Sequence, residues 1–154
     1  MIRTFHSALV PLVAALLVSG CGDQERPAST GLVTPVIYCA LDSANGTEGV
    51  VLRVKQGPVR FQGWMAGNTK SEASDKVVLE LKSGAGKTYP FEGAERMARP
   101  DVARAMSSDA HLNAGFKLMA DLSTLEKGSY GIAIRLLDPH GVLLCQVKKN
   151  VIVE

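Results

Sequence analysis

The chain has 154 residues, 17 Lys plus Arg against 15 Asp plus Glu, and is 46% hydrophobic but only 5% aromatic. That length suits one domain able to bury its own core, and the small aromatic share excludes a broad aromatic binding platform. The basic residues lie scattered among acidic ones from Arg53 to Lys149, without the clustered surplus of a nucleic-acid binder, so no nucleic-acid partner is expected.

Arg3 is the one charge ahead of an apolar run from Ala8 to Val18, which Pro11 interrupts and Ser19-Gly20-Cys21 follows. A charged start, a short apolar centre and a small-residue end have the layout of a secretory signal. The run is about half of the ~20 residues needed to cross a hydrocarbon core, which favours removal over permanent anchorage. Val18-Ser19-Gly20-Cys21 resembles the lipobox of bacterial lipoproteins. The resemblance implies that residues 1–20 are a signal peptide, that the Cys21 sulfur receives a diacylglycerol, and that the mature chain is held to a membrane through lipid. One acyl chain binds a bilayer marginally, whereas two or more anchor stably. Gly22 stands where that family's inner-membrane retention signal places Asp, so the resemblance implies the outer membrane, with the domain facing the periplasm. Residues 21–31 form the acylated cysteine and a tether: Asp23 to Gly31 is polar, broken by Pro27 and without apolar period.

From Leu32 onward short alternating runs dominate. Strands are expected near residues 33–41, 49–55, 58–66, 76–82, 86–91, 115–122, 129–137 and 142–152. Val50, Leu52 and Val54 share a face, as do Val59, Phe61 and Met65, then Val77, Leu79 and Leu81, then Ile132, Ile134 and Leu136. Turn chemistry separates them: Asn45-Gly46, Gln56-Gly57-Pro58, Ser83 to Gly86, Lys127-Gly128, and Asp138-Pro139-His140-Gly141, which fits a type I turn. One helix is expected over Arg99–Met106, where Pro100 and Asp101 suit a first turn. The expected fold of residues 32–154 is all-β, an antiparallel β-sandwich of about seven or eight strands with one short helix, a small β-barrel being the alternative.

Export would place Cys39 and Cys145 in an oxidising compartment, where an even pair in a small domain favours a disulfide. Val33, Pro35, Ile37, Cys39 and Leu41 alternate on one face, as do Leu143, Cys145, Val147 and Val151. Both sulfurs therefore point with the apolar residues, and a buried bridge between the first and last strands is expected.

Few motifs carry chemistry. Gly86-Lys87-Thr88 has the letters that end a phosphate-binding loop, but Leu81 stands where the first glycine belongs and Tyr89-Pro90-Phe91 follows instead of a helix, so a hairpin turn is expected. Ser107, Ser108, Asp109 and His111 are the residue types of a hydrolytic triad crowded into one loop, whereas triad partners converge from separate elements. His111 and His140 lack Asp or Glu at metal-ligand spacing, and no metal or cofactor is expected. Asn45-Gly46-Thr47 matches a glycosylation sequon that an Asn-Gly turn explains equally.

Gly63-Trp64, Arg99-Pro100-Asp101-Val102 and Gly115-Phe116 occur in that order. Across residues 60–135 they resemble a pattern of small β-sandwich domains in bacterial cell-envelope and polysaccharide-related proteins. The candidate binding residues are Trp64, Arg99 and Asp101, an aromatic face and a charged pair suited to a sugar ring or a peptide. The opposing expectation is that they pack and cap. The leading functional expectation is a non-catalytic binding or assembly module for an envelope protein or glycan, anchored to the membrane by lipid. A lysozyme-inhibitor-type lipoprotein is the second reading, because such inhibitors are also small, exported, cysteine-bridged β-domains. A hydrolase using Ser108 or His111 is the third.

Overall fold

The computed structural model describes residues 32–67, 76–138 and 141–154. The expected signal peptide, the lipobox with Cys21, and the tether lie outside these residues, as do Pro139 and His140 of the expected turn. The chain divides into two units, Met1–Thr30 and Gly31–Glu154. All described residues belong to the second.

Over its described residues that unit is an all-β sandwich of two sheets with one short helix, and no closed barrel forms. In chain order the elements are β1 (Val33–Val36), β2 (Cys39–Ala44), β3 (Thr47–Glu48), β4 (Val51–Val54), β5 (Pro58–Met65), β6 (Lys76–Ser83) and β7 (Thr88–Phe91). There follow β8 (Glu95–Met97), α1 (Pro100–Ala105), a 3-10 turn (Asp109–His111), β9 (Gly115–Asp121), β10 (Gly128–Asp138) and β11 (Gly141–Val153). One sheet has the order β1-β11-β10-β6-β7, with β4 also pairing to β11; the other has the order β3-β2-β5-β9-β8.

Strict alternation builds the core. Phe61, Leu79, Leu81, Phe116, Leu122 and Ile134 are fully buried between the sheets, with Leu41, Leu52, Val59 and Met65. At 45–46 the chain turns as a two-residue hairpin, Asn45 and Gly46 both at positive φ (50° and 78°), as a type I′ turn requires. At the next such site Gly86 takes φ 86° and its amide donates to the Ser83 carbonyl, closing the β6–β7 hairpin.

The run expected as one strand over 33–41 is two strands in different sheets. β1 pairs parallel with β11, whereas β2 pairs antiparallel with β5, and the chain crosses between sheets at Ile37 and Tyr38. The crossing changes which residues face inward. Val36 packs on the core, while Val33 is half exposed and Ile37 is 82% exposed. Pro35 explains why β1 is an edge: it has no amide to give to a second neighbour. The β4–β11 pairing is parallel too, so the sandwich is antiparallel in its interior and parallel where strands arrive from the other sheet. Val50, expected to share a face with Leu52 and Val54, precedes β4 and is 71% exposed.

Cys39 and Cys145 form the disulfide, Cα atoms 6.3 Å apart. Because Cys39 opens β2 and Cys145 lies in β11, the bond staples one sheet to the other. Closing 106 residues, it stabilises the fold by roughly 4 to 5 kcal/mol in the loop-entropy account.

Candidate functional site

The three short motifs meet at one end of the β5–β9 pair, and register brings them there. β5 and β9 pair so that Gly63 faces Phe116 and Trp64 faces Gly115. Each glycine makes room for a neighbour. A Cβ on Gly63 would collide with the Ala40 carbonyl and stand about 3.0 Å from the Phe116 ring. A Cβ on Gly115 would come within 2.6 Å of the Arg99 side chain and 2.8 Å of Met97. The stem of Arg99 therefore lies over Gly115, and the glycine is what lets it approach.

α1 begins at Pro100, whose missing amide costs nothing there, and Arg99 precedes it with its carbonyl accepting from the Ala103 amide at 3.0 Å. Val102 points inward and joins Ala66 and Ala114 in a second buried cluster, against which Trp64 and Met106 pack. Trp64 is half-buried.

Arg99 holds this unit electrically. Its Nε and Nη2 donate to the two Asp101 carboxylate oxygens at 2.8 and 2.7 Å, and Nη1 donates to Asp42 Oδ2 at 2.6 Å. Asp101 lies in the first turn of α1, and Asp42 lies in β2. One guanidinium thus ties the helix start to a strand of the sheet beneath it. The bidentate hydrogen bond from Arg99 holds the Asp101 carboxyl at about 2, below its ordinary 3.8, and the same bond raises Arg99 above its ordinary value. At 19% side-chain exposure, Arg99 is largely committed to its own fold, whereas Asp101 remains 61% exposed. The arrangement is a clamp with one open carboxylate edge. Trp64, Arg99 and Asp101 are brought to one region, as packing and ion-pair partners of α1.

Asp42 is the residue of this unit that the sequence did not single out. It is one acidic letter in a short alternating run, and its partner is 57 positions away; no local pattern marks such a pair. Ala66 and Ala114 escaped notice for the opposite reason, being ordinary small residues outside the strand periods.

The crowded loop after α1 has a structural explanation. Ser107 takes φ 51°, its amide donates to the Arg104 carbonyl, and the Ser108 amide donates to the Ala103 carbonyl. This is a Schellman-type helix stop with serine in the left-handed position that glycine usually fills. No hydrogen bond joins the Ser108 hydroxyl, Asp109 carboxylate and His111 imidazole among the described residues, and His111 Nδ1 is buried without a partner. Gly86-Lys87-Thr88 sits in the β6–β7 turn, where the Lys87 ammonium lies 4.8 Å from the centre of the Tyr89 ring. No group of three His, Cys, Asp or Glu side chains converges on a metal position among the described residues.

Among the described residues, three surface concavities lie elsewhere. One of about 490 Å³ sits on the outside of the β6–β10 pair, lined by Glu80, Lys82, Gly131 and Ala133 among others. A smaller one of about 280 Å³ is lined by Arg60, Glu95, Lys117 and Met119. The largest of the three, about 700 Å³, lies beside the disulfide and is lined by Pro35, Val36, Ile37, Cys39, Ala40, Leu144, Gln146, Val147, Lys148 and Lys149. No protein-family model matches the chain, and no curated protein matches its sequence.

Proposed function

We propose that the protein is a lipid-anchored envelope lipoprotein whose β-sandwich is a non-catalytic binding or assembly module for an envelope protein or glycan. The observation that carries the reading is how the chain is divided. An apolar run ends in Val18-Ser19-Gly20-Cys21, a polar linker follows, and the domain after it is closed by the Cys39–Cys145 bond, which persists in an oxidising compartment. Ser107 and Ser108 serve as a helix stop in this reading, and the Asp101 edge and the cleft beside the disulfide are the candidate contact regions. Outer-membrane placement follows from Gly22, as the lipoprotein resemblance implies.

Metabolic labelling with a radioactive fatty acid tests the anchor. The wild-type chain takes up label and the Cys21→Ser variant does not; label persisting in that variant overturns the lipoprotein reading. Chemical crosslinking in intact envelopes tests the module: a reproducible adduct supports it, and its absence with the protein present at normal abundance counts against it.

A further inference from the structure

β1 turns an apolar face away from the core. Val36 packs on the core and pairs with Cys145, so alternation sends Val33 and Pro35 to the outside of the sheet, with Leu144 of β11 beside Pro35. Ile37 continues that alternation where the chain crosses between sheets. Leu32 and Ile37 are each 82% exposed and Tyr38 is 50% exposed. None of these side chains joins either buried cluster. Single exposed aliphatics are ordinary on a protein surface, whereas a row of them along one strand marks a contact surface.

The rim of the strip is basic. Lys148 and Lys149 are two extra residues of a bulge in β11, and they line the same cleft as Pro35, Ile37 and Leu144. No Asp or Glu lines that cleft, and neither lysine meets a carboxylate among the described residues. Aliphatic side chains, a tyrosine and lysines side by side suit the boundary of a bilayer. The first enter below the headgroups, the ring sits at their level, and the ammonium groups meet lipid phosphates.

We propose that the outer strip of β1 rests on the headgroup layer of an anionic bilayer, as a second contact beside the acyl anchor. Two observations select lipid over other occupants. The strip begins where the linker ends: Cys21 stands eleven residues before Leu32, so the backbone between them spans at most ~40 Å. With Cys21 acylated, the membrane surface stays within that reach at an effective concentration that a freely diffusing partner does not match. The second observation is charge. Lysines attract anionic lipid but would face lysines in a second copy of the strip. The inference rests on the lipid anchor proposed above and divides the two candidate contact regions. The cleft beside the disulfide goes to lipid, and the Asp101 edge, tied by Arg99 to Asp42 in the other sheet, remains for the envelope partner.

The test uses the full chain, purified from bacterial membranes and reconstituted into phosphatidylglycerol vesicles. Mass spectrometry first reads the acyl group on Cys21. With Cys39 and Cys145 bonded, one added cysteine carries an NBD fluorophore, at Ile37→Cys in the strip or at Met119→Cys, an exposed position of the other sheet. Nitroxide-bearing lipids should quench the label at 37 at least about twofold more than the label at 119. Raising salt from about 50 to about 500 mM should bring the two toward equality, as should the Lys148→Glu/Lys149→Glu substitution. The salt measurement leaves both lysines in place, so it decides the matter if that variant fails to fold. Equal quenching at the two positions, or quenching at 37 that salt does not move, overturns the proposal. So does shielding of the label at 37 that grows with protein concentration, which assigns the strip to a second copy. A photoreactive group at 37 that captures a protein in intact envelopes likewise overturns it, assigning the strip to that protein. An unacylated Cys21 overturns the anchor and this proposal together, whereas equal quenching in an acylated chain overturns this proposal alone.

Discussion

Between the sheets, burial alone fixes Phe61, Phe116, Leu79 and Ile134, all fully enclosed. Beneath α1 the buried cluster among the described residues is Ala66, Val102 and Ala114, all small or medium side chains, and the Arg99 guanidinium supplies what apolar area does not. The contrast separates two tasks. The large core and its disulfide set the stability of the domain, while the small one sets where a six-residue helix sits, a length that cannot hold itself in water.

The comparison breaks most sharply at the disulfide. Replacing Cys39 and Cys145 together by alanine should lower stability by roughly 4 to 5 kcal/mol, read from the urea midpoint. A loss under about 1 kcal/mol would mean that packing between the sheets needs no staple.

Gly63 and Gly115 sharpen it next, since one fills a close approach in the large core and the other serves the helix unit. Gly63→Ala meets a backbone carbonyl that cannot turn aside and should cost about 3 kcal/mol. At Gly115 the new Cβ would meet the Met97 carbonyl at 2.8 Å and the stem of the pinned Arg99 at 2.6 Å, a little farther than the carbonyl at Gly63, so Gly115→Ala should cost somewhat less, about 2 kcal/mol. Thermal denaturation of the two variants ranks them.

Arg99→Ala should cost about 1 kcal/mol globally, because its ion pairs are partly solvated, yet α1 should loosen more than the sheets. Hydrogen exchange should quicken in the amides of residues 103–108 and stay unchanged in β10. Uniform quickening would show that the clamp belongs to the global fold.

The smallest effect is on pH. Asp101 titrates at about 2 in the folded chain against an ordinary 3.8. Its contribution is therefore complete above about pH 4 and is lost as pH falls toward 2. The melting-temperature gap between wild type and Asp101→Asn should shrink across that window and remain constant above it.

Much of the sandwich was legible because each interior strand keeps one face to the core: Val59, Phe61 and Met65, or Ile132, Ile134 and Leu136, show the period without help. The edges were less so. Period two runs unbroken through Val33 to Leu41, but the chain changes sheets at Ile37, and a pattern of letters carries no mark of which partner a strand has. β3 and β8, of two and three residues, are too short to show any period. At the helix unit packing by Trp64 and capping by Asp101 were among the expectations, yet the reason for the two glycines was not legible. Gly63 beside Phe116 and Gly115 beside Arg99 follow from the β5–β9 register, a long-range fact. The bulge in β11 was hidden for the same reason, because Lys148-Lys149 reads as two more residues of a strand.

The staple between sheets also decides where mechanical load travels. Tension applied at Leu32 and resisted beyond Cys145 can strip β1 from β11, releasing a few residues, and then meets a covalent bond at Cys39. From there the force passes through sulfur into Cys145 and on to the segment that ends at Glu154. The polypeptide between the two cysteines, with most of the core and all of α1, lies outside that path. A pull between Leu32 and the residues just after Cys145 would therefore be borne by the bridge and a handful of residues, leaving the rest of the sandwich unstrained.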